Sequence, residues 1–409
     1  MKKKNISPWS NNIKKHVYVY DNFDNHSKTI NIGNLNSYGD CILPLGDTLL
    51  QNKKNKNVQE TVFNYQINNR HYLYGTPGKS NVTIGGAIAS DTHGKDNDWG
   101  CSFSKNVKEI TLEIGNDEVT ASREKNFEIF EATIGGYGLT GTLKNIKLID
   151  NNVPVSSEYL TQIKTGKGID NLLLSFDAIQ QEYWVGWIDL LSKDLNWVTK
   201  KSYFENPKSN FSNLKTEIDL PFSVPFVGRN QLNLLSIINK IYFRKNTNSK
   251  IKTNSLYETF FPLSFLTDTR NISANRKIIQ VQFSIPLKNQ EKLDYLIRYL
   301  VNKQHPLLCS IKKFSHKENL NNFSFYQKGW TVAVDFEYKN FNEDRVREFY
   351  SELIKYEGKV YLAKDSTLDE TNFKEMYPEY DKWREIVKSI DPYNLYQSEL
   401  SKRLGIKNW

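Results

Sequence analysis

Two glycine-dense segments constrain this chain more than any other feature. They are Val82-Thr83-Ile84-Gly85-Gly86-Ala87-Ile88-Ala89-Ser90-Asp91-Thr92-His93-Gly94-Lys95 and Ala132-Thr133-Ile134-Gly135-Gly136-Tyr137-Gly138-Leu139-Thr140-Gly141. Each is entered from a β-branched, strand-like run, and Pro77-Gly78 precedes the first. Glycine exposes backbone N–H groups and lets a bulky anion or a planar ring lie against the chain with no side chain intervening. One such turn is weak evidence. Two of them predict a single large cofactor cradled by several backbone segments.

The rest of the composition permits that reading. A chain of 409 residues is long enough for two domains with separate cores. With 38% hydrophobic residues and no run near the roughly 18 apolar residues of a membrane span, a soluble protein is expected. Met1-Lys2-Lys3-Lys4-Asn5 is basic but lacks the apolar stretch of a secretory signal, so cytoplasmic residence is the default expectation. Cys41, Cys101 and Cys309 are far apart, odd in number and without CxxC spacing, which argues against a disulfide framework or a zinc site. No metal is expected, because no histidine apart from His93 has a motif context. The net charge of +9 has two readings. Lysines scattered singly among Asn, Asp and Glu form a solvated surface, which disfavours nucleic acid as a partner. The same charge would assist visits to an acidic membrane, so at most peripheral membrane contact is expected.

The C-terminal half has a readable pattern. Ile279, Val281 and Phe283 alternate with Gln280, Gln282 and Ser284, as in a strand with one apolar face. Leu293, Leu296, Ile297, Leu300 and Val301 form a helical stripe before Pro306. Strands are expected at residues 307–314 and 330–338, followed by a helix capped by Asn342 and stopped at Gly358. Residues 359–363 make a last strand that ends at Lys364. The order β-α-β-β-α-β is the split, ferredoxin-like arrangement. Val332, Val334 and Phe336 should face the helices, leaving Gln280, Gln282, Lys312, Thr331 and Asp335 on the other face. That face either holds a polar ligand or is open to solvent.

Elsewhere the signals are local. Val17-Tyr18-Val19-Tyr20 is a strand candidate, and residues 51–57 read as an exposed loop. Residues 110–120 have a hairpin signature around Gly115-Asn116-Asp117. Ser37-Tyr38-Gly39-Asp40 alone reads as an ordinary turn. His93, a lone histidine beside glycine, reads alone as a turn residue. Trp184, Trp187 and Asp189, and Tyr242 to Lys245, lie in residues 151–276, the least informative segment, where aromatics at this density are ordinarily core.

Taken together, the glycine segments resemble the FAD-binding domain of the vanillyl-alcohol-oxidase, or PCMH, type of flavoprotein. The resemblance narrows to the decaprenylphosphoryl-ribose oxidase family through five further motifs. These are Gln280-Val281-Gln282-Phe283, Gly329-Trp330 with Val334-Asp335-Phe336, Tyr361-Leu362-Ala363-Lys364-Asp365-Ser366, Asp391-Pro392, and Ser401-Lys402-Arg403-Leu404-Gly405. It covers residues 37–406 and implies a two-domain α+β flavoprotein. Residues 1–150 would form the PCMH-type FAD-binding domain, short at 41–76. Residues 151–364 would form a substrate domain around the ferredoxin-like sheet, and residues 365–409 would return to the FAD domain.

The resemblance also implies site residues. Non-covalent FAD would be contacted by Ser37, Tyr38, Gly39, Asp40, Pro77, Gly78, Thr83, Gly85, Gly86, Ala89, Ser90, His93, Gly94, Gly135, Gly138, Thr142, Tyr361 and Ala363. Lys364 and Lys312 would take the catalytic polar roles, with Gln280, Gln282, Thr331 and Trp187 at the substrate. The implied activity is oxidation of a secondary sugar hydroxyl, the ribose 2-hydroxyl of a polyprenyl-phosphate pentose, by hydride transfer to FAD. A short-chain reductase partner that completes an epimerisation is implied by the family alone. Two alternatives stay open: an aldonolactone oxidase, and a degenerate member that binds flavin poorly and acts as a partner subunit. Leu35 and Asn36, where the family has glycine and arginine, favour the latter. His93 and Lys364 oppose it.

Overall fold

The structure is a computed structural model that describes residues 2–10, 13–20, 28–51, 55–96, 99–176, 182–211, 231–247, 251–261, 277–314 and 324–409. It is an α+β protein built on three sheets. In the first, β1 (Lys2–Ile6), β2 (Lys15–Tyr20), β3 (Ile30–Asn31) and β4 (Thr48–Leu50) lie in the order β1-β2-β4-β3. The second joins β5 (Val107–Ile114), β6 (Asp117–Ser122) and β7 (Thr142–Leu148) in the order β6-β5-β7. The expected hairpin is β5-β6, turning through Gly115 at φ +63° with Ile114 paired to Asp117.

The third sheet contains β8 (Glu158–Lys167), β9 (Tyr183–Ile188), β10 (Asn196–Tyr203), β11 (Lys252–Ser255), β12 (Ile278–Pro286), β13 (Pro306–Phe314), β14 (Gly329–Glu337) and β15 (Lys359–Val360). Its order is β11-β8-β10-β9-β13-β14-β12-β15. The half from β12 to β15 has the expected split β-α-β-β-α-β order, with every pairing antiparallel. One face is apolar and covered. Leu293, Leu296, Ile297 and Leu300 of the helix Leu293–Val301, and Val346, Phe349 and Leu353 of the helix Glu343–Ile354, share a core with Val281, Phe283, Val332, Val334 and Phe336. Full burial of each such side chain stabilises the fold by about 1.5–3 kcal/mol. Asn342 caps the second helix by accepting from the Arg345 N–H at 3.0 Å, as its position predicts.

Four expectations need correction. The glycine segments are not entered from strands, since Thr83 caps the helix Ile84–Ala89 and residues 127–133 form the helix Phe127–Thr133. Thr83's hydroxyl accepts from the Gly86 N–H, a local bond that competes with strand pairing. Helix Glu343–Ile354 ends before Gly358, because Glu357 takes the left-handed turn at φ +56°. The last strand stops at Val360, and Lys364 lies in a turn closed by its N–H bonding to the Tyr361 carbonyl at 3.0 Å. The expected loop at 51–57 lies partly outside the described residues, and its end enters the helix Lys56–Gln59.

Candidate active site

The two glycine segments meet each other. The Gly135 N–H bonds to the Ile88 carbonyl at 2.9 Å, and the Tyr137 N–H bonds to the Ala89 carbonyl at 2.8 Å. Gly135 and Gly138 hold φ +69° and +75°, which explains glycine at both positions. Gly85 packs on Val58, and Thr142 opens β7 as a buried residue. Pro77 is buried, while Gly78 is exposed with open space where a Cβ would stand.

A third segment, Ser37 to Asp40, docks on the turn after β15. Gly39 donates its N–H to the Ala363 carbonyl at 3.4 Å, and a Cβ on Gly39 would lie 2.0 Å from the Asp365 carbonyl oxygen. No side chain fits there. Asp40 points away from this contact and binds Arg403 in a fork, with Nε–Oδ2 and Nη2–Oδ1 both at 2.8 Å. Arg403 Nη1 reaches Asp365 Oδ2 at 2.8 Å. Asp40's carboxylate is thus committed to an ion pair.

The fourth side is the polar face of β12-β13-β14. Register places Gln280 opposite Asp335, Ser284 opposite Thr331 and Lys312 opposite Thr331, so these side chains share one face. The face is covered, which excludes the solvent-exposed alternative: Gln280, Gln282, Thr331 and Asp335 are all buried. Gln282 Nε2 lies 2.7 Å from His93 Nε2 and 2.9 Å from Thr331 Oγ1. Gln280 donates to Asp335 Oδ1. His93 therefore links the first glycine segment to the sheet, enclosed by the rings of Phe314, Phe325 and Tyr361 at 5.1, 5.9 and 5.5 Å. Tyr361 reaches the same segment by donating its hydroxyl to the Ser90 carbonyl at 2.8 Å.

Lys364 lies 5.5 Å from the Tyr38 ring centroid, Tyr38 packs tilted against Trp9 with centroids 4.3 Å apart, and Lys79 lies 4.0 Å from the Trp9 centroid. Burial pulls Lys312 down to about 7, assisted by Lys364 and opposed by Asp96. Burial lowers Lys364 to about 8, against the pull of Asp335. Asp335 is pushed up to about 6 by burial, with Gln280, Lys364 and Lys79 acting the other way. Burial, then Lys312 and Lys364, hold His93 well below its usual range, so the imidazole is neutral. The half-buried amines of Lys312 and Lys364 and the buried Asp335 carboxyl thus lie between about 6 and 8, a perturbation shared by active sites and structural charge networks.

Trp187 shares the sheet face of Lys312, one strand further out. It lies opposite Ser310 on β9 and packs edge-on against Tyr242 at 4.9 Å, joining two aromatics that the sequence singled out separately. Sequence reasoning missed Lys95 and Asp96. Lys95 is buried and donates to the carbonyls of Thr259 and Phe260. Asp96 Oδ2 accepts from the Gly75 N–H at 3.0 Å, and burial pushes its carboxyl up to about 6. Their adjacency to His93-Gly94 was the available signal.

No family model matches the chain. It is 27% identical over 351 residues to the decaprenylphosphoryl-beta-D-ribose oxidase of Mycolicibacterium smegmatis, covering 81% of this chain and 75% of that protein. It is 22% identical over 354 residues to an uncharacterised protein in the mprA 5′ region of Streptomyces coelicolor, covering 81% of this chain and 95% of that one. The motif resemblance and this similarity over 81% of the chain agree: the chain is similar to decaprenylphosphoryl-beta-D-ribose oxidase.

Proposed function

We propose that this protein is an FAD-dependent oxidoreductase that oxidises a secondary hydroxyl of a sugar, the ribose 2-hydroxyl of a polyprenyl-phosphate pentose. The observation that carries the proposal is the meeting of the three glycine-bearing segments beside one polar sheet face, with His93 of the first bonded directly to Gln282 of the sheet. A two-domain PCMH-type arrangement is consistent with it, residues 1–150 and 365–409 supplying the cradle and 151–364 the roof. The similarity to an oxidase of a lipid-linked ribose supports the substrate class.

The residues present fit a flavin. Gly78 leaves its surroundings open, and the only atom near a Cβ on Gly86 would be the Thr83 hydroxyl. Gln280 Oε1 and Gln282 Oε1 are buried without a hydrogen-bond partner, so this face has acceptor capacity for a hydroxylated ligand. Ser37 to Gly39, Thr83 to Gly94, Gly135 to Thr142, and Tyr361 with Ala363 would hold the cofactor. When bound, FAD supplies the hydride acceptor.

The chain's own residues do the rest. Lys312, the more readily neutralised of the two amines, takes the proton of the sugar hydroxyl at its Nζ. Lys364 keeps its positive charge to higher pH and stabilises negative charge that develops during oxidation. Gln280 and Gln282 orient the sugar through their free carbonyl oxygens. Phe314, Phe325 and Tyr361 keep water from the neutral His93.

The test is the visible absorbance spectrum of the purified protein, repeated on the supernatant after acid precipitation. A released flavin spectrum is expected, followed by bleaching on addition of a polyprenyl-phospho-ribose. A protein that stays colourless with excess FAD would sink the oxidoreductase reading in favour of a partner-subunit role.

A further inference from the structure

The helix Gln231–Asn246 is built inside out. Its inward side carries Asn239 and Asn246, 8% and 9% exposed, with Asn239 donating to the buried Asp189 carboxylate at 2.7 Å. Its outward side carries Leu234, Ile237, Ile238 and Ile241, which are 43%, 53%, 40% and 60% exposed. Spacing of i, i+3, i+4 and i+7 puts these four in one stripe. A stripe of this kind normally faces a core, and here it faces outward.

Its charge pattern identifies the partner. Lys240, Arg244 and Lys245 are exposed, the last two in the final turn beside the stripe, and the helix has no acidic residue. An apolar stripe edged only by cations matches an anionic lipid surface, where the apolar side chains enter the acyl boundary and the cations meet head groups. A second copy of the chain is a poorer occupant. It would bring the same positive charges together, and four half-exposed side chains fall short of the roughly 800 Å² per partner that a stable interface buries.

The helix also adjoins the candidate site. Tyr242, on its inward side, packs on Trp187, and Trp187 lies opposite Ser310, two residues before Lys312 on β13. We propose that the Leu234–Ile241 face docks the protein on anionic bilayers, so that the wall of the site abuts the membrane surface. The idea deepens the proposed function, on whose lipid-carried substrate its purpose rests, but the docking itself needs neither flavin nor turnover.

The experiment is co-sedimentation of the full chain with vesicles of phosphatidylcholine alone or mixed with phosphatidylglycerol. Binding is expected only to the mixed vesicles and should weaken in high salt. The double variants Ile237→Glu with Ile241→Glu, and Arg244→Gln with Lys245→Gln, should each lower partitioning by about ten-fold or more with unchanged circular dichroism and flavin content. Absence of wild-type binding, equal binding to neutral vesicles, or wild-type partitioning by both variants would overturn the proposal. So would a dimer on gel filtration that the glutamate variant dissolves, since the face would then be a self-association surface. Vesicle binding by a protein that cannot hold flavin would leave the docking face standing and remove the oxidoreductase reading instead.

Discussion

Replacing Arg403 with glutamine tests whether the Asp40–Arg403–Asp365 cluster holds the turn at residues 37–40 against the turn that bears Lys364. Asp40 is 4% and Asp365 2% exposed, and together they take three of the guanidinium's contacts at 2.8 Å. Glutamine leaves two buried carboxylates without their cation, and breaking a buried pair in this way costs about 3–5 kcal/mol. An unfolding entropy of about 2.1 cal/mol/K per residue over 409 residues gives roughly 0.86 kcal/mol/K, so a loss of about 4 kcal/mol lowers Tm by about 5 °C. Acid should repair part of the defect. Burial already raises the Asp40 carboxyl, with Arg403 opposing it, so removing Arg403 moves it further up. A carboxyl whose folded-state pKa lies above its unfolded value loses stability as pH rises through that interval. The deficit relative to wild type should therefore be full at pH 8 and smaller near pH 5. Urea unfolding followed by circular dichroism at the two pH values measures this. A deficit below about 1 kcal/mol at pH 8, or one independent of pH, refutes the argument.

Four further outcomes follow from the site. Lys312→Met should abolish the rise of kcat/KM with pH near 7, while a fall governed by Lys364 near 8 persists; an unchanged pH profile removes Lys312 as proton acceptor. Because burial holds Lys312 below its unfolded value, the unfolded chain binds more protons between about pH 7 and 10, so wild-type stability should rise across that range and the variant's rise should be smaller. Gln282→Leu breaks the contacts to His93 and Thr331 and should lower kcat by about 10- to 100-fold with flavin retained, as read from steady-state rates beside the absorbance spectrum. Gly39→Ala forces a methyl group onto the Asp365 carbonyl and should empty the protein of flavin, which the released-flavin assay detects directly.

Much of the sheet was legible because its chemistry repeats every two residues. Gln280, Gln282, Lys312, Thr331 and Asp335 fell on one face by parity alone, and the register confirms the parity. Helices stood out where an apolar stripe met a capping residue, as at Asn342. What failed was anything set by distant partners. The last strand ends before Tyr361 because, although its N–H still bonds to Gln282 across from β12, its carbonyl closes a turn with the Lys364 N–H and its hydroxyl is held by the distant Ser90 carbonyl. The Arg403 fork joins residues that no local pattern connects. The helix Gln231–Asn246 was unreadable for another reason: its apolar stripe is where a core face would be drawn, and its buried side is the polar one.

The route by which the C-terminal segment returns to the first sheet has a consequence for how the protein matures. Thr29 pairs with Tyr396, Pro44 with Ser398, and Lys407 bonds to both Asp391 and the Leu139 carbonyl within the second glycine segment. At ribosomal speeds of about 5–20 residues per second, roughly 20 to 70 s separate the emergence of the Thr29–Pro44 region from that of its partners. Throughout that interval β3 and the turn at residues 37–40 lack their final neighbours, and the edges they present are open to wrong pairing. The junction of the two glycine-bearing halves with the C-terminal segment would therefore be completed only in a single late step.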